Sequence, residues 1–331
     1  MRRITRPVAL LVLSFGIILG ASLADAQAPM KLDQGASTTW FGHVPLMVAI
    51  DRGYFKEAGL EVELRPIVKS SDRMLALTQG GIQWTNTGVL SVIVEMAKGN
   101  DSFYWFANID DSPGAEGLVV QPGINSIKDL KGRKIAVTLN SGAEITLYYL
   151  LKEAGLALGD VRVVPMASNE MVAAFANKNI DAYCVWEPAF SDGQKAVPGS
   201  KVLATDKDTP IYRKFKTASA PDVVVIRKDL VDKHPETARK LIAAYFRGVK
   251  LTKENPREAA VSADKWFKRG ADWVEAGIRK FSYFDASRQR EHVDELLGNL
   301  EMVVGWAYDT KNIETKPDPR KWLRRDLVPA Q

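Results

Sequence analysis

The stretch KIAVTLNSGAEITLYYLLKEA, Lys134 to Ala154, indicates the fold class. Its first residues, Lys134 to Thr138, form a short apolar run typical of a strand, and Ala143 to Ala154 repeats apolar residues with a helical period. A strand followed directly by a helix is the repeating unit of a sheet whose strands are joined by crossover helices. The stretch therefore predicts an α/β protein.

The same alternation of short apolar runs and helical patterns occurs on both sides of this stretch. Before it, the predicted elements are strands at Lys31–Ser37, Glu61–Pro66, Ile82–Asn86 and Phe103–Asn108, and helices at Val44–Glu57, Asp72–Gln79 and Val89–Lys98. After it, they are strands at Val161–Pro165, Ala182–Val185 and Val223–Ile226, a helix at Glu170–Ala176, and long helical patterns from Pro235 that break at Pro256. We predict two α/β lobes, each with a parallel sheet.

Two extended segments are predicted to connect the lobes. Glu116–Val120 leads out of the first lobe and Pro221–Ile226 leads back. Two crossings make the first lobe discontinuous, so we assign residues 27–116 and 224–331 to it and residues 117–223 to the second lobe. A ligand is expected in the cleft between such lobes, because strand ends and helix N-termini converge there.

Residues 1–26 have the features of a secretory signal peptide. Arg2 and Arg3 give a basic start, Val8 to Gly20 is apolar, and small residues precede a cleavage site after Ala26. No later run approaches the roughly 20 apolar residues of a membrane span. We therefore expect an exported protein.

Composition and motifs argue against several classes of function. The net charge is +5, or +3 without residues 1–26, and basic and acidic residues are interspersed, so a nucleic-acid-binding face is not expected. The sequence contains no Gly-rich phosphate loop, HExxH or CxxC motif, and its three histidines lie far apart. We expect a monomer that is not an enzyme, with no cofactor and no bound metal.

Acidic residues concentrate near the two predicted crossings. Asp110, Asp111 and Glu116 lie at the first crossing, Glu187 follows a strand of the second lobe, and Asp222 opens the return. Carboxylates facing a cleft repel an anion and accept N–H donors from a cation. For any single acid the alternative is a solvated loop charge. As a set, we predict ligand contacts from Glu187, Asp222, Glu116 and one of Asp110 or Asp111.

Helix starts and an aromatic residue add candidate contacts. Ser71, Thr87 and Ser141 open helices that follow strands, where free backbone N–H groups can hold an anion or a carbonyl. The alternative is N-capping, and Ser141 with Glu144 fits the capping box. Trp40 follows the first strand and is predicted either to stack on a planar cation or to pack against the next helix.

The run NIDAYCVWEPAF, Asn179 to Phe190, contains the single cysteine beside an acid. We predict Cys184 to be a small buried core residue and not a nucleophile. Trp186 is expected to stack on the ligand or to pack beneath it, with Pro188 holding the turn that offers Glu187 to a donor-rich ligand.

Several motifs resemble one family in the correct order along the chain. The segment from Gly42 to Leu60, which includes AIDRGYFKEAGL, and the segment SIKDLKGRKIAV at Ser126–Val137 are similar to the nitrate/sulfonate/taurine-type solute-binding proteins of ABC importers. Trp186-Glu187-Pro188 and VIRKDL at Val225–Leu230 continue the resemblance. It implies a type II periplasmic binding protein with a pyrimidine-synthase-like fold, which closes on a small molecule and docks on a membrane permease.

Two branches of that family carry more specific resemblances. The taurine-binding branch is similar at Glu116 and Asp222, and members associated with urea-carboxylase genes are similar at Asp110–Gly114 and in the Trp186-Glu187-Pro188 step. The latter implies a nitrogen-rich cationic or zwitterionic ligand of amine, amidine or guanidine type. The alternative is taurine, another sulfonate or a nitrate-like anion. A pyrimidine-synthase-like enzyme is a weaker alternative because its cysteine-rich motif is absent, and a ligand sensor is another.

Overall fold

The computed structural model describes residues 30–330 of the chain. The predicted signal peptide, residues 1–26, lies outside this range. Among the helices of the described range, none is both long and apolar enough to cross a membrane.

Twelve strands and thirteen α-helices are present in residues 30–330. The strands are β1 Met30–Ala36, β2 Leu60–Pro66, β3 Trp84–Gly88, β4 Phe103–Ala107, β5 Asp110–Asp111, β6 Glu116–Val120, β7 Lys134–Val137, β8 Arg162–Pro165, β9 Ala182–Trp186, β10 Lys201–Thr205, β11 Asp222–Arg227 and β12 Ser282–Tyr283. The helices are α1 Val44–Asp51, α2 Tyr54–Glu57, α3 Ser70–Thr78, α4 Val89–Ala97, α5 Gly142–Glu153, α6 Ser168–Ala176, α7 Ala189–Ala196, α8 Pro210–Phe215, α9 Lys228–Lys233, α10 Pro235–Glu254, α11 Pro256–Phe267, α12 Ala271–Ile278 and α13 Ala286–Asp309.

Ten of these strands form two five-stranded sheets, one in each lobe, and β5 and β12 form a separate two-stranded sheet. The first has the order β2-β1-β3-β11-β4 and the second the order β10-β6-β9-β7-β8. Both are mixed, because β11 runs antiparallel to β3 and β4, and β6 runs antiparallel to β9 and β10. The predicted parallel pairing is confirmed for β1 with β2 and β3 and for β7 with β8 and β9, and it is wrong for β6 and β11.

The antiparallel strands are those by which the chain enters each sheet from the other lobe. Glu116 begins β6 opposite Trp186, the last residue of β9, and Asp222 begins β11 opposite Gly88, the last residue of β3. Each of these two strands starts at the sheet edge where its antiparallel neighbour ends. This arrangement brings two strand starts and two strand ends to one place between the lobes.

Most predicted elements end within two residues of their observed bounds, with one clear exception. The single helix predicted at Val44–Glu57 is broken into α1 and α2 at Gly53, whose φ of +72° places it in the left-handed region. The pairing of β5 with β12, which joins the first crossing to the C-terminal region, had no counterpart in the prediction.

Both sheets are covered on both faces by apolar side chains. In β6, Leu118 and Val120 pack into one cluster and Val119 into the cluster on the opposite face. In β9, Cys184 joins the first of these clusters and Tyr183 the second. The prediction that Cys184 is a buried core residue is confirmed, since its exposed fraction is 0%.

Candidate functional site

A cavity of about 50 Å³ lies in the cleft between the two lobes. A smaller adjoining cavity, of about 30 Å³, shares part of the same wall. Five predicted site residues line the first cavity, and Asp110 and Asp111 line the second. The walls of the first cavity are formed by Ser37, Trp40, Val68, Ser70, Arg73, Gly88, Glu116, Ser141, Gly142, Trp186, Ala220 and Asp222.

Asp110, Glu116 and Asp222 form a carboxylate trio around these cavities. Asp110 is 1% exposed and accepts a hydrogen bond from Asn86 Nδ2 at 2.9 Å. Burial raises its pKa well above the usual range, and the neighbouring Asp222 carboxylate raises it further. Burial also raises the pKa of Asp222 to about 6. The site therefore disfavours full ionisation of its acids when it holds no cation.

Glu116 faces the same space from the first crossing. Its Oε1 accepts a hydrogen bond from the Thr146 hydroxyl at 2.5 Å, and the Ser219 hydroxyl is 2.7 Å from the same Thr146 oxygen. Burial raises the pKa of Glu116 to about 7 despite the Thr146 contact, and the charge on Asp222 adds to the shift.

Arg73 on α3 is the basic side chain in the wall of the first cavity. Its guanidinium is 3% exposed and donates to the carbonyl oxygens of Ile67 and Val68 at 2.9 and 2.8 Å and to Ser70 Oγ at 2.9 Å. Burial lowers its pKa to about 10, while Asp222 opposes that shift, so the side chain stays charged at neutral pH. It balances part of the trio's negative charge.

Three polar atoms in the cavity wall are buried without a hydrogen-bond partner. They are Nε1 of Trp40, Nε of Arg73 and Oδ2 of Asp222. An unpaired buried polar group costs free energy unless something completes its hydrogen bonds. The Trp40 indole N–H faces Asp222 and lowers the pKa of that carboxyl, so these two groups partly satisfy each other, and a bound molecule can complete the hydrogen bonding of Arg73 Nε and of either group.

Trp40 and Trp186 meet across the cleft from the two lobes. Their ring centroids are 6.2 Å apart at an interplanar angle of 80°, and Trp40 also makes an edge contact with Phe281 at 4.8 Å. Both tryptophans line both cavities. The indoles form the aromatic part of the wall.

The predicted helix-start residues occupy different environments. Ser141 lines the cavity with Gly142, but its hydroxyl donates to Thr138 O at 2.6 Å, and Glu144 accepts from the backbone of Asn140 instead. The capping box proposed for Ser141 is therefore not formed, and the first N–H groups of α5 keep no side-chain cap.

Ser71 and Thr87 lie outside the walls of these two cavities. Ser71 lines a separate depression with Leu75 and Ser91. Thr87 is buried in β3 and donates to Ser70 O at 3.4 Å. Ser70, together with Arg73, reaches the cavity from α3, and its hydroxyl accepts from Gly88 N at 3.3 Å.

Asp111 and Glu187 accept their hydrogen bonds from the protein itself. Asp111 Oδ1 accepts from the backbone of Ser112 at 2.9 Å and of Ala218 at 3.1 Å, which links the outgoing and returning crossings. Glu187 is 3% exposed and pairs with Lys280 at 2.5 Å, outside the cavity of the trio. Burial raises the pKa of Asp111 to about 7.

His43 is a structural residue beneath the site. Its Nε2 lies 2.9 Å from Asn86 O and its Nδ1 lies 2.9 Å from Ser37 N, a pattern that fits the neutral ring. Burial lowers its pKa to about 3. Sequence reasoning missed Arg73, although a basic residue in the first turn of a helix opposes the helix dipole and could have been singled out for that reason.

Two mixed sheets joined by two crossings, with a cavity between them, define a bilobal α/β fold. The alkanesulfonate-binding protein SsuA from Xanthomonas axonopodis pv. citri bound to MOPS shares this fold, with a TM-score of 0.74 at 15% identity over 89% of this chain and 98% of that one. The desulfurization enzyme DSZB also shares it, with a TM-score of 0.65 at 14% identity over 90% and 97% of the chains. The fold thus occurs in both binding proteins and enzymes.

Sequence comparison identifies the family. Residues 40–259 match the NMT1/THI5-like family model, so the chain belongs to that family. The taurine-binding periplasmic protein of Escherichia coli strain K12 is 30% identical over 221 residues, which cover 66% of this chain and 64% of that protein. The chain is a solute-binding component of the ABC importer type.

Proposed function

We propose that the cleft captures a small organic compound with a cationic nitrogen group, an amine, amidine or guanidine that is a cation or a zwitterion. The protein would act in the periplasm and deliver this compound to a membrane permease. The carboxylate trio is the observation that carries the proposal, because it places Asp110, Glu116 and Asp222 around adjoining cavities whose walls hold one basic side chain, Arg73.

Charge balance supports a cationic ligand. With Asp110, Glu116 and Asp222 ionised and Arg73 protonated, the cavity walls carry two excess negative charges, or three when Asp111 in the second wall is ionised as well. A buried excess charge is costly, which is why the pKa values of all three acids are raised. A cationic group with several N–H donors would offset that cost and reach the unpaired Oδ2 of Asp222.

A sulfonate or another anion is the second candidate. The unpaired Nε of Arg73, the indole N–H of Trp40 and the uncapped start of α5 at Gly142 can all donate to anionic oxygens. The taurine-binding periplasmic protein of Escherichia coli, which is 30% identical to this chain, points the same way. A zwitterion would engage both sets of groups, with its cationic end at Asp222.

Binding measured against pH separates these candidates. A cation stabilises the ionised carboxylates, so its affinity should rise from about pH 5 to about pH 8, through the raised pKa values of Asp222 and Glu116. An anion held near the same acids should bind more weakly over that range. Calorimetric titration of guanidines, amines, taurine, alkanesulfonates and nitrate is the measurement. Affinity that falls with pH for every ligand would refute the cationic assignment.

Asp222→Asn supplies the matched test at one residue. Removing one charge-assisted hydrogen bond costs roughly 1.5 to 3 kcal/mol, so we expect cation binding to weaken about 10- to 150-fold while a purely anionic ligand binds as well or better. Asp101→Asn is the control, because the Asp101 side chain is 84% exposed and contacts only Lys228. Unchanged cation binding by Asp222→Asn would contradict the proposed role of the trio.

A further inference from the structure

Two ion pairs connect the lobes outside the ligand cavity. Arg269, between α11 and α12, pairs with both carboxylate oxygens of Asp192 on α7 at 3.0 and 3.2 Å. Lys280, after α12, pairs with Glu187, which follows β9. In each pair the cation belongs to the helices of the first lobe and the acid to the second. We name them the cross-lobe pairs.

Both cations are held in place by further contacts. The Arg269 guanidinium lies over the Trp273 ring, 4.2 Å from its centroid. Lys280 Nζ also contacts Ser191 Oγ at 3.1 Å, and the Ser191 hydroxyl donates to Glu187 Oε1 at 2.6 Å. Because these contacts already restrict the two side chains, less conformational entropy is lost when each ion pair forms.

We propose that Arg269 and Lys280 are positioning residues that hold the two lobes closed and thereby set the affinity for the solute. The chain passes between the lobes only through the two crossings, so separation of the lobes moves α7 away from α12 and breaks both pairs. Neither cation lines the carboxylate-trio cavities, so each acts on binding through the closed population and not by touching the ligand.

The size of the effect follows from burial. Arg269 and Asp192 side chains are 45% and 20% exposed, and those of Lys280 and Glu187 are 46% and 4% exposed. Pairs of this kind change an equilibrium by roughly two- to fivefold each. Loss of both should lower the closed-to-open ratio about tenfold, and apparent affinity falls in proportion once the closed form is the minor state.

The test measures lobe separation in the full mature protein without any added solute, so its outcome does not depend on the proposed ligand. Spin labels at Glu61→Cys and Lys128→Cys report the distance between exposed positions of the two lobes by pulsed electron resonance. Cys184 is fully buried and stays unlabelled. The variants are Lys280→Met, Arg269→Met and the double variant.

Lys253→Met is the matched control. Lys253 is 44% exposed and pairs with Asp285 at 2.7 Å, but both residues lie in the same lobe. We expect a longer-distance population to grow in Lys280→Met and Arg269→Met and to grow most in the double variant, with Lys253→Met unchanged. High salt should lengthen the distance in the parent, because it screens the exposed charges.

Exchanging the charges of Arg269 and Asp192 tests whether lobe closure depends on the ion pair itself and not on either residue alone. Arg269→Asp alone should open the lobes, and Arg269→Asp combined with Asp192→Arg should close them again. The proposal is overturned if the double variant of Lys280 and Arg269 keeps the parent distance distribution, if Lys253→Met opens the lobes equally, or if the exchange fails to restore closure.

Discussion

Asp206 offers a sharp test of how the buried acids near the crossings affect stability. Its side chain is fully buried beside the first crossing, where Oδ1 accepts from Gly114 N at 2.6 Å and Oδ2 has no partner. Burial raises the pKa of Asp206 to about 8, and the Glu116 and Asp111 carboxylates add to the shift against the opposing effects of Gly114 N–H and Lys207. We predict that Asp206→Asn stabilises the protein at neutral pH.

The magnitude follows from proton linkage. The pKa of Asp206 in the folded protein lies above the ordinary value of 3.8, so the folded state favours the protonated carboxyl. The stability that depends on this proton is fully present below about pH 4 and is lost as pH rises through about 8. At about pH 7 the carboxyl of the unfolded chain is ionised, because this pH lies roughly three units above its pKa, whereas the folded carboxyl remains largely protonated. At about 1.4 kcal/mol per unit this costs on the order of 4 kcal/mol. Asparagine keeps the acceptor for Gly114 and carries no charge, so it avoids this cost.

Urea unfolding at about pH 4.5 and about pH 7.5 measures the difference. The free energy of unfolding of Asp206→Asn should exceed that of the parent by several kcal/mol at the higher pH and by less than about 1 kcal/mol at the lower. Asp101→Asn, an exposed acid, is the control and should show neither effect. A gain that does not depend on pH, or a loss at the higher pH, would refute the reasoning.

Two further predictions concern packing and the single thiol. Gly248→Ala should destabilise the protein by about 1 to 3 kcal/mol, because a Cβ there would lie 2.2 Å from Pro45 O. Gly305→Ala in α13 places its Cβ in free space and should stabilise the protein by roughly 0.5 to 1 kcal/mol. Thermal unfolding of both variants measures the two effects. Equal effects at the two glycines would contradict this packing. Burial raises the pKa of Cys184, so a thiol reagent should react with it only in denaturant, and rapid reaction in the native protein would show that β9 opens locally.

Local sequence pattern was sufficient for most strands and helices but not for sheet topology. Val223–Ile226 was predicted as a strand and is part of β11, yet an apolar run has the same pattern whichever way its neighbours point. Direction depends on where the chain enters the sheet, which is a property of the two crossings. The helix break at Gly53 differs from strand direction in this respect, because a glycine inside a helical pattern is a local signal that the helix can end there.

The candidate site was predictable in part, for a related reason. Acids near the crossings could be recognised because those segments must lie between the lobes, and Glu116 and Asp222 do line the cavity. Arg73 was missed because a helical arginine is usually exposed, whereas here the segment just before α3 turns the carbonyls of Ile67 and Val68 onto its guanidinium. Lys280 was missed because its partner lies 93 residues away.

Hydrogen-bond satisfaction divides the five predicted acids into two groups. Asp111 and Glu187 accept from backbone, serine or lysine donors of the protein, so a ligand would have to displace contacts that already exist. Asp110 and Glu116 accept likewise from Asn86 and Thr146, whereas Oδ2 of Asp222 makes no hydrogen bond of standard geometry within residues 30–330. Proximity to a cleft makes an acid a candidate ligand contact. A buried acceptor that the protein leaves without a hydrogen bond is a stronger candidate, because a ligand can donate to it. Asp222 is therefore the first residue to replace in a binding experiment. Replacing Glu187 would test the cross-lobe pairs instead, because Glu187 pairs with Lys280.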